Sequence, residues 1–166
     1  DGQLLTEHIA VAEEALQHCC KLATIERHGK NGNISVCPLL GYGIVNGAVA
    51  TSVAHDSHNV ICAGDNSIDM VAACNRLREI GGGYVIASKG KVIDEFALPY
   101  FGLMSDKPVS EAIEAISRLE RKAHELHVNP RIDPFTTLSF LALPVIPDIR
   151  LLDTGLYNVK NGKFYR

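Results

Sequence analysis

The chain has 166 residues, of which 46% are apolar and 21% charged, and its formal net charge is −3. That length can bury a proper core, and that balance excludes a disordered chain. A net negative charge with no basic run argues against a nucleic-acid or anionic-membrane partner, since both need a basic face.

No run approaches the roughly 20 apolar residues that cross a bilayer, and "DGQLLTEH" lacks the basic-then-apolar pattern of a signal peptide. Five cysteines, Cys19, Cys20, Cys37, Cys62 and Cys74, show no C-x-x-C spacing. Free thiols in a reducing cytoplasm are expected, and no Cys-rich zinc site.

In chain order, Thr6 is placed to cap a helix over 7–20, with an apolar stripe of Ile9, Ala12, Leu16 and Cys19/Cys20. "KLATIER" alternates Leu22, Thr24 and Glu26 against Ala23 and Ile25, as a strand does. "HGKNGN" is a turn. "ISVCPLL" is a second strand, and Pro38 assigns it to an edge or a bulge. "GYGIVNG" is a loop. "AVATSVA" and "NVICAGD" are short and nearly all apolar, which fits strands covered on both faces. Asn66 or Ser67 caps the next helix, with Asp69 in its first turn. Its expected apolar side is Ile68, Val71, Ala72, Leu77 and Ile80, and Gly81–Gly83 stop it.

"YVIASKGKVIDEF" is a hairpin about Lys-Gly. The clearest helix runs over 108–127, with a stripe of Ile113, Ile116, Leu119, Ala123 and Leu126. Ser105 and Asp106 lie just before it, where they can cap it or hold a polar ligand edge. Asp133-Pro134 opens a short helix that Pro144 ends. "IRLLDTGLYNVKNGKFY" gives a strand, a turn at Asn161-Gly162 and one more strand. The sum is an α+β domain: a largely antiparallel, hairpin-rich sheet with helices packed on its faces. Residues 1–20 form a helix leading into one domain over 21–166.

The one polar hotspot is His55-Asp56-Ser57-His58. As a strand it splits His55 and Ser57 from Asp56 and His58; as a helix it puts the two histidines on one face; as a tight turn it brings both rings together. Two imidazoles and a carboxylate suit an auxiliary metal site or an acid–base pair with its orienting group. The bland alternative is a turn in which Asp56 and Ser57 bond their own backbone while the histidines cap neighbours. Glu26-Arg27-His28 reads as a surface cluster, and His124 and His127 as an exposed helix end. No dinucleotide fingerprint, P-loop, G-x-S-x-G or H-E-x-x-H occurs.

Taken together, "IERHGKNGN", "GAVATSVAHDSHNVICAG", "DMVAACNRLREIGGGYVI", "LPYFGLMSDKP" and "DPFTTLSFLALPVIPDIRLLDTGLYNV" resemble the C-terminal domain of bacterial-type adenine deaminase, in the amidohydrolase superfamily. The likeness runs from Lys21 to Val159. It implies hydrolysis of adenine to hypoxanthine and ammonia by a full-length protein whose (β/α)₈ barrel holds two divalent metals, manganese or iron. This chain has no H-x-H motif and is too short for such a barrel, typically about 250 residues. The resemblance therefore implies an accessory domain, inactive alone, that helps complete or close the site of an upstream barrel domain. His55, Asp56 and His58 are the expected catalytic residues of the turn, with His55, Asp56 and His58 also its candidate auxiliary metal ligands. Ser57, Ser105 and Asp106 are the expected substrate-binding residues. The implied setting is cytoplasmic adenine catabolism in a homo-oligomer. The alternative is a structural or oligomerisation module with no part in the chemistry.

Overall fold

Alternation of large and small side chains along four central strands decides how the layers stack. The computed structural model describes residues 6, 7, 9, 16 and 19–165. Six strands, β1 (Cys20–Ile25), β2 (Ile34–Leu39), β3 (Ala48–Thr51), β4 (Val60–Gly64), β5 (Gly83–Ser88) and β6 (Lys91–Ala97), form one sheet in the order β2-β1-β4-β3-β5-β6. Every pairing is antiparallel. The sheet is thus three hairpins laid side by side.

Successive residues of a strand face opposite sides. On one side Leu22, Val49, Ile61, Ala63, Ile86 and Phe96 point into the larger core. On the other, Ala23, Ala48, Ala50, Cys62, Val85 and Ala87 present a floor of mostly small groups. Helix α1 (Ser67–Glu79) lies on that floor as the crossover from β4 to β5, seating Met70, Ala73 and Leu77. The opposite side takes α2 (Val109–Glu125), α3 (Pro134–Leu141) and a three-stranded meander, β7 (Ile149–Leu152), β8 (Gly155–Asn158) and β9 (Lys163–Phe164). Ala115, Leu119, Ala123, Leu138 and Leu151 close that core. The α+β expectation, with strands 48–51 and 60–64 covered on both faces, holds.

Local signals explain the boundaries. The Asn66 side chain accepts the Asp69 amide at 2.9 Å, and the Asp69 carboxylate in turn accepts the Gly90 amide at 2.6 Å, tying the start of α1 to the β5–β6 turn. That turn has positive φ at both Lys89 and Gly90, as a tight two-residue hairpin requires. Asp133 caps α3 through the amides of Phe135 and Thr136. Pro38 sits on β2, at the sheet edge.

Four expectations need correction or fall outside view. Helix α1 buries Asp69, Met70, Ala73 and Leu77, while Ile68 and Val71 are exposed. Of the expected stripe Leu77 is buried and Ala72 and Ile80 pack at its margin, whereas Ile68 and Val71 give way to Met70 and Ala73 because the alanine-rich floor accepts small side chains. On α2, Ile113 is exposed and Ala115 takes its place inside. The C-terminal stretch holds a further tight hairpin at Asp153-Thr154, giving three strands there. The helix expected over 7–20 lies almost wholly outside the described residues; Thr6, its expected cap, bridges to Asp148 and donates its hydroxyl to the carbonyl of Ile149.

Candidate functional site

The β3–β4 hairpin is closed by residues 52–59, and its backbone is fastened by several hydrogen bonds. The His58 amide donates to the Ala54 carbonyl at 2.6 Å, and the His55 amide to the Ser139 carbonyl of α3 at 3.2 Å. Arg27 Nε donates to the His58 carbonyl at 2.5 Å, and His28 Nε2 lies 2.8 Å from the Ser57 carbonyl. Ser57 Oγ accepts the Asn59 amide at 3.3 Å. The hotspot is a tight turn, and it brings the two imidazoles together: the ring centres of His55 and His58 are 6.2 Å apart, edge to face.

What the backbone does frees the side chains. His58 Nδ1 is buried and has no hydrogen-bond partner among the described residues. His55 packs its ring on Phe140, 5.3 Å between centres, and none of the hydrogen bonds among the described residues uses its nitrogens. Desolvation lowers the His58 pKa, helped by the positive charge of His55 and Arg27 and opposed by Asp56. Asp56 and Ser57 are exposed at the tip. Of the bland alternative, the turn and the Ser57 bond are realised, and no side-chain bond of Asp56, nor any capping bond of His55 or His58, is made among the described residues.

His55 also borders a cleft of about 230 Å³ that runs to Tyr84, Glu120, Asp133 and Phe140. Burial, then the neighbouring charge of Asp133, pushes the Glu120 carboxyl up, and the same two causes raise the Tyr84 phenol. These groups escaped the sequence reading, because Glu120 looks like one more charge on a solvated helix face and Asp133 like a cap. A larger cavity of about 1020 Å³, walled by Leu22, Cys37, Tyr42 and Leu151, lies away from the histidines. Part of its wall is Thr6, Glu7, Ile9 and Leu16, next to undescribed residues, and the smaller cleft is the one that His55 borders.

The second candidate stretch is brought to the same place by its glycine. Ser52 Oγ donates to the Gly102 carbonyl at 2.6 Å and accepts the Gly83 amide at 2.8 Å. Arg27 Nη2 donates to the Phe101 carbonyl at 2.6 Å. Gly102 has φ +73°, and a Cβ there would stand 2.9 Å from Ser52 Oγ and 3.1 Å from Arg27 Nη1, so only glycine fits. Ser105 and Asp106 lie farther along this loop. Neither caps α2, whose N-cap is Pro108 without a side-chain bond. Ser105 Oγ instead accepts the Lys107 amide at 2.9 Å, and Asp106 faces Lys107 at 3.9 Å. No bond among the described residues joins Ser105 or Asp106 to the histidine turn.

Among the described residues no group of three or more His, Cys, Asp or Glu side chains is arranged to hold a metal ion. His55, Asp56 and His58 therefore do not complete a ligand set by themselves. The five cysteines carry free thiols. No helix among the described residues is long and apolar enough to cross a membrane.

Comparison with known proteins sets this geometry in a family. A profile described as the adenine deaminase C-terminal domain matches residues 3–163. The chain is 49% identical over 145 residues to an adenine deaminase of Nitratidesulfovibrio vulgaris (strain DP4), covering 87% of this chain and 25% of that protein. It is 47% identical over 145 residues to one from Clostridium acetobutylicum, covering 87% and 25%. With the adenine deaminase of Desulfitobacterium hafniense (strain Y51) the identity is 38% over 173 residues, 100% of this chain and 30% of that protein. The chain thus spans about a quarter of the length of the curated relatives it matches.

Proposed function

This chain belongs to the adenine deaminase C-terminal domain family, and from that premise we propose that it is the accessory lobe of a hydrolytic adenine deaminase, with its His55–His58 turn set at the mouth of an upstream barrel domain. One observation carries the reading: the turn is held by its backbone, while the ring nitrogens of His55 and the buried Nδ1 of His58 are left unspent. A structural turn has no use for a buried imidazole nitrogen left without a partner, as at His58, because its desolvation costs free energy.

In this reading adenine gains water at C6 and loses ammonia, giving hypoxanthine. His58, held neutral, accepts a proton and passes it towards the departing amino nitrogen; His55 shares or relays it, and Asp56 orients the pair. Ser57, Ser105 and Asp106 offer hydrogen bonds to the polar edge of the purine. The manganese or iron pair implied by the family does not fit the described residues of this chain, so the metal ligands are assigned to the upstream domain. The chain alone does not turn over adenine on this account. A cytoplasmic homo-oligomer serving adenine catabolism is part of the same proposal.

A second reading, an assembly module outside the chemistry, is favoured by exposed apolar groups. Ile34 and Val36 on the edge strand are 62% and 56% exposed. One experiment separates the two. His55→Ala and His58→Ala are made singly in the complete enzyme, and turnover and metal content are measured. The proposal expects turnover to fall by about 10²-fold or more, as for loss of a general acid–base group, with metal content kept. Unchanged turnover and metal content leave only the assembly module.

A further inference from the structure

We propose that Arg27 is a positioning residue that locks the His55–His58 turn and the Phe101–Asp106 loop into one rigid unit for the reaction. The inference rests on the function proposed above. It assigns a role to a residue whose sequence context, Glu-Arg-His at a strand end, reads as ordinary surface.

The register of the sheet delivers Arg27 to its place. β1 pairs antiparallel with β4, Ile25 opposite Val60. Continued two residues beyond the strand end, that register sets Arg27 opposite His58. The planar guanidinium then spans two carbonyls at once, Nε to His58 at 2.5 Å and Nη2 to Phe101 at 2.6 Å.

No carboxylate is paired with Arg27 among the described residues. Arg76 and Arg118 behave differently: Arg76 is bonded to Glu95 and Glu79, and Arg118 to Asp94, whereas Arg150, like Arg27, donates to backbone carbonyls, those of Pro147 and Ile149. A charge-assisted donor spent on two neutral carbonyls from separate loops fixes geometry more than it satisfies charge. Ser52, at the base of the turn, also bonds the Gly102 carbonyl, whereas Arg27 reaches past the base to the His58 carbonyl at the far end of the turn. The glycine at 102 keeps the space beside Nη1 clear. Lysine cannot reproduce this, because an ammonium is a point donor without the rigid fork.

The effect belongs in kcat. A displacement of about 1 Å at a reacting group costs on the order of 10²-fold in rate. Substrate affinity is left nearly unchanged if Arg27 itself does not touch the purine.

The test uses the complete adenine deaminase carrying Arg27→Met and Arg27→Lys, beside His58→Ala. Arg27→Met is expected to lower kcat about 10²-fold with KM for adenine within about twofold, and Arg27→Lys to recover only part of it. Amide hydrogen exchange on the same complete enzymes supplies a readout independent of activity. In Arg27→Met the amides of His58 and Met104, one in each loop, exchange faster together. In Ser52→Ala, Met104 responds more than His58.

Unchanged kcat in Arg27→Met, or a raised KM at unchanged kcat, overturns the inference while His58→Ala still shows a loss. If His58→Ala also shows no loss, the proposed function itself fails. If Arg27→Met does not fold, Arg27→Lys decides: full activity overturns the role, and a lowered kcat at constant KM supports it.

Discussion

The imidazoles of His55 and His58 stand edge to face with their centres 6.2 Å apart, across a turn whose flanking strands pair Thr51 with Ile61. Desolvation, together with the positive charge of His55 and Arg27, lowers the pKa of His58 below its ordinary 6.5. The folded chain therefore resists protonation there. Stability linked to His58 is present above the unfolded value and is lost as pH falls below 6.5 towards the lower folded value. An NMR titration of the imidazole carbons should give a His58 midpoint below 6.5; a midpoint at or above it contradicts the electrostatic picture of the turn.

Ser52 is fully buried at the base of the same turn, donating to Gly102 and accepting from Gly83. Ser52→Ala leaves a buried carbonyl and a buried amide without their partner. The expected loss is about 1–3 kcal/mol by denaturant unfolding. A change near zero would contradict a structural part for the two Ser52 bonds.

Asp94 ties the sheet to α2, 2.8 Å from Arg118 and 3.0 Å from Lys122. Burial raises its carboxyl, but the bonds from Arg118, Lys122 and the Glu95 amide prevail and hold it down at about 2, against 3.8 unperturbed. The contribution is complete above pH 3.8 and is lost as pH falls through about 2. Asp94→Asn should cost about 1–2 kcal/mol at neutral pH, discounted for the exposed arginine, and almost nothing near pH 2. Unfolding midpoints of both chains against pH measure the difference.

The elements most legible in the sequence were those written in local chemistry. Asn66 and Asp133 announce helix starts, Lys89-Gly90 a tight turn, and Pro38 an edge, because each acts on its own backbone or that of near neighbours. Burial on α1 was less legible. Ile68 and Val71 outweigh Met70 and Ala73 by hydrophobicity, yet the floor of Ala48, Ala50 and Ala87 decides which stripe fits. The histidine turn was legible as a hotspot, since its residue types stand out between apolar strands. Its geometry was not, and neither was Arg27, whose partners His58 and Phe101 lie far away in the chain. Side-chain bonds to distant carbonyls leave no periodic trace in a sequence.

The central claim is that the turn looks into the active site of the complete enzyme. Its most direct test is a crystal structure of full-length adenine deaminase carrying this domain with hypoxanthine bound. An imidazole nitrogen of His55 or His58 should lie within hydrogen-bond reach of the purine, about 3 Å, or one bridging water farther. A turn found facing bulk solvent or a subunit contact, with the purine enclosed by the upstream domain alone, would contradict the account.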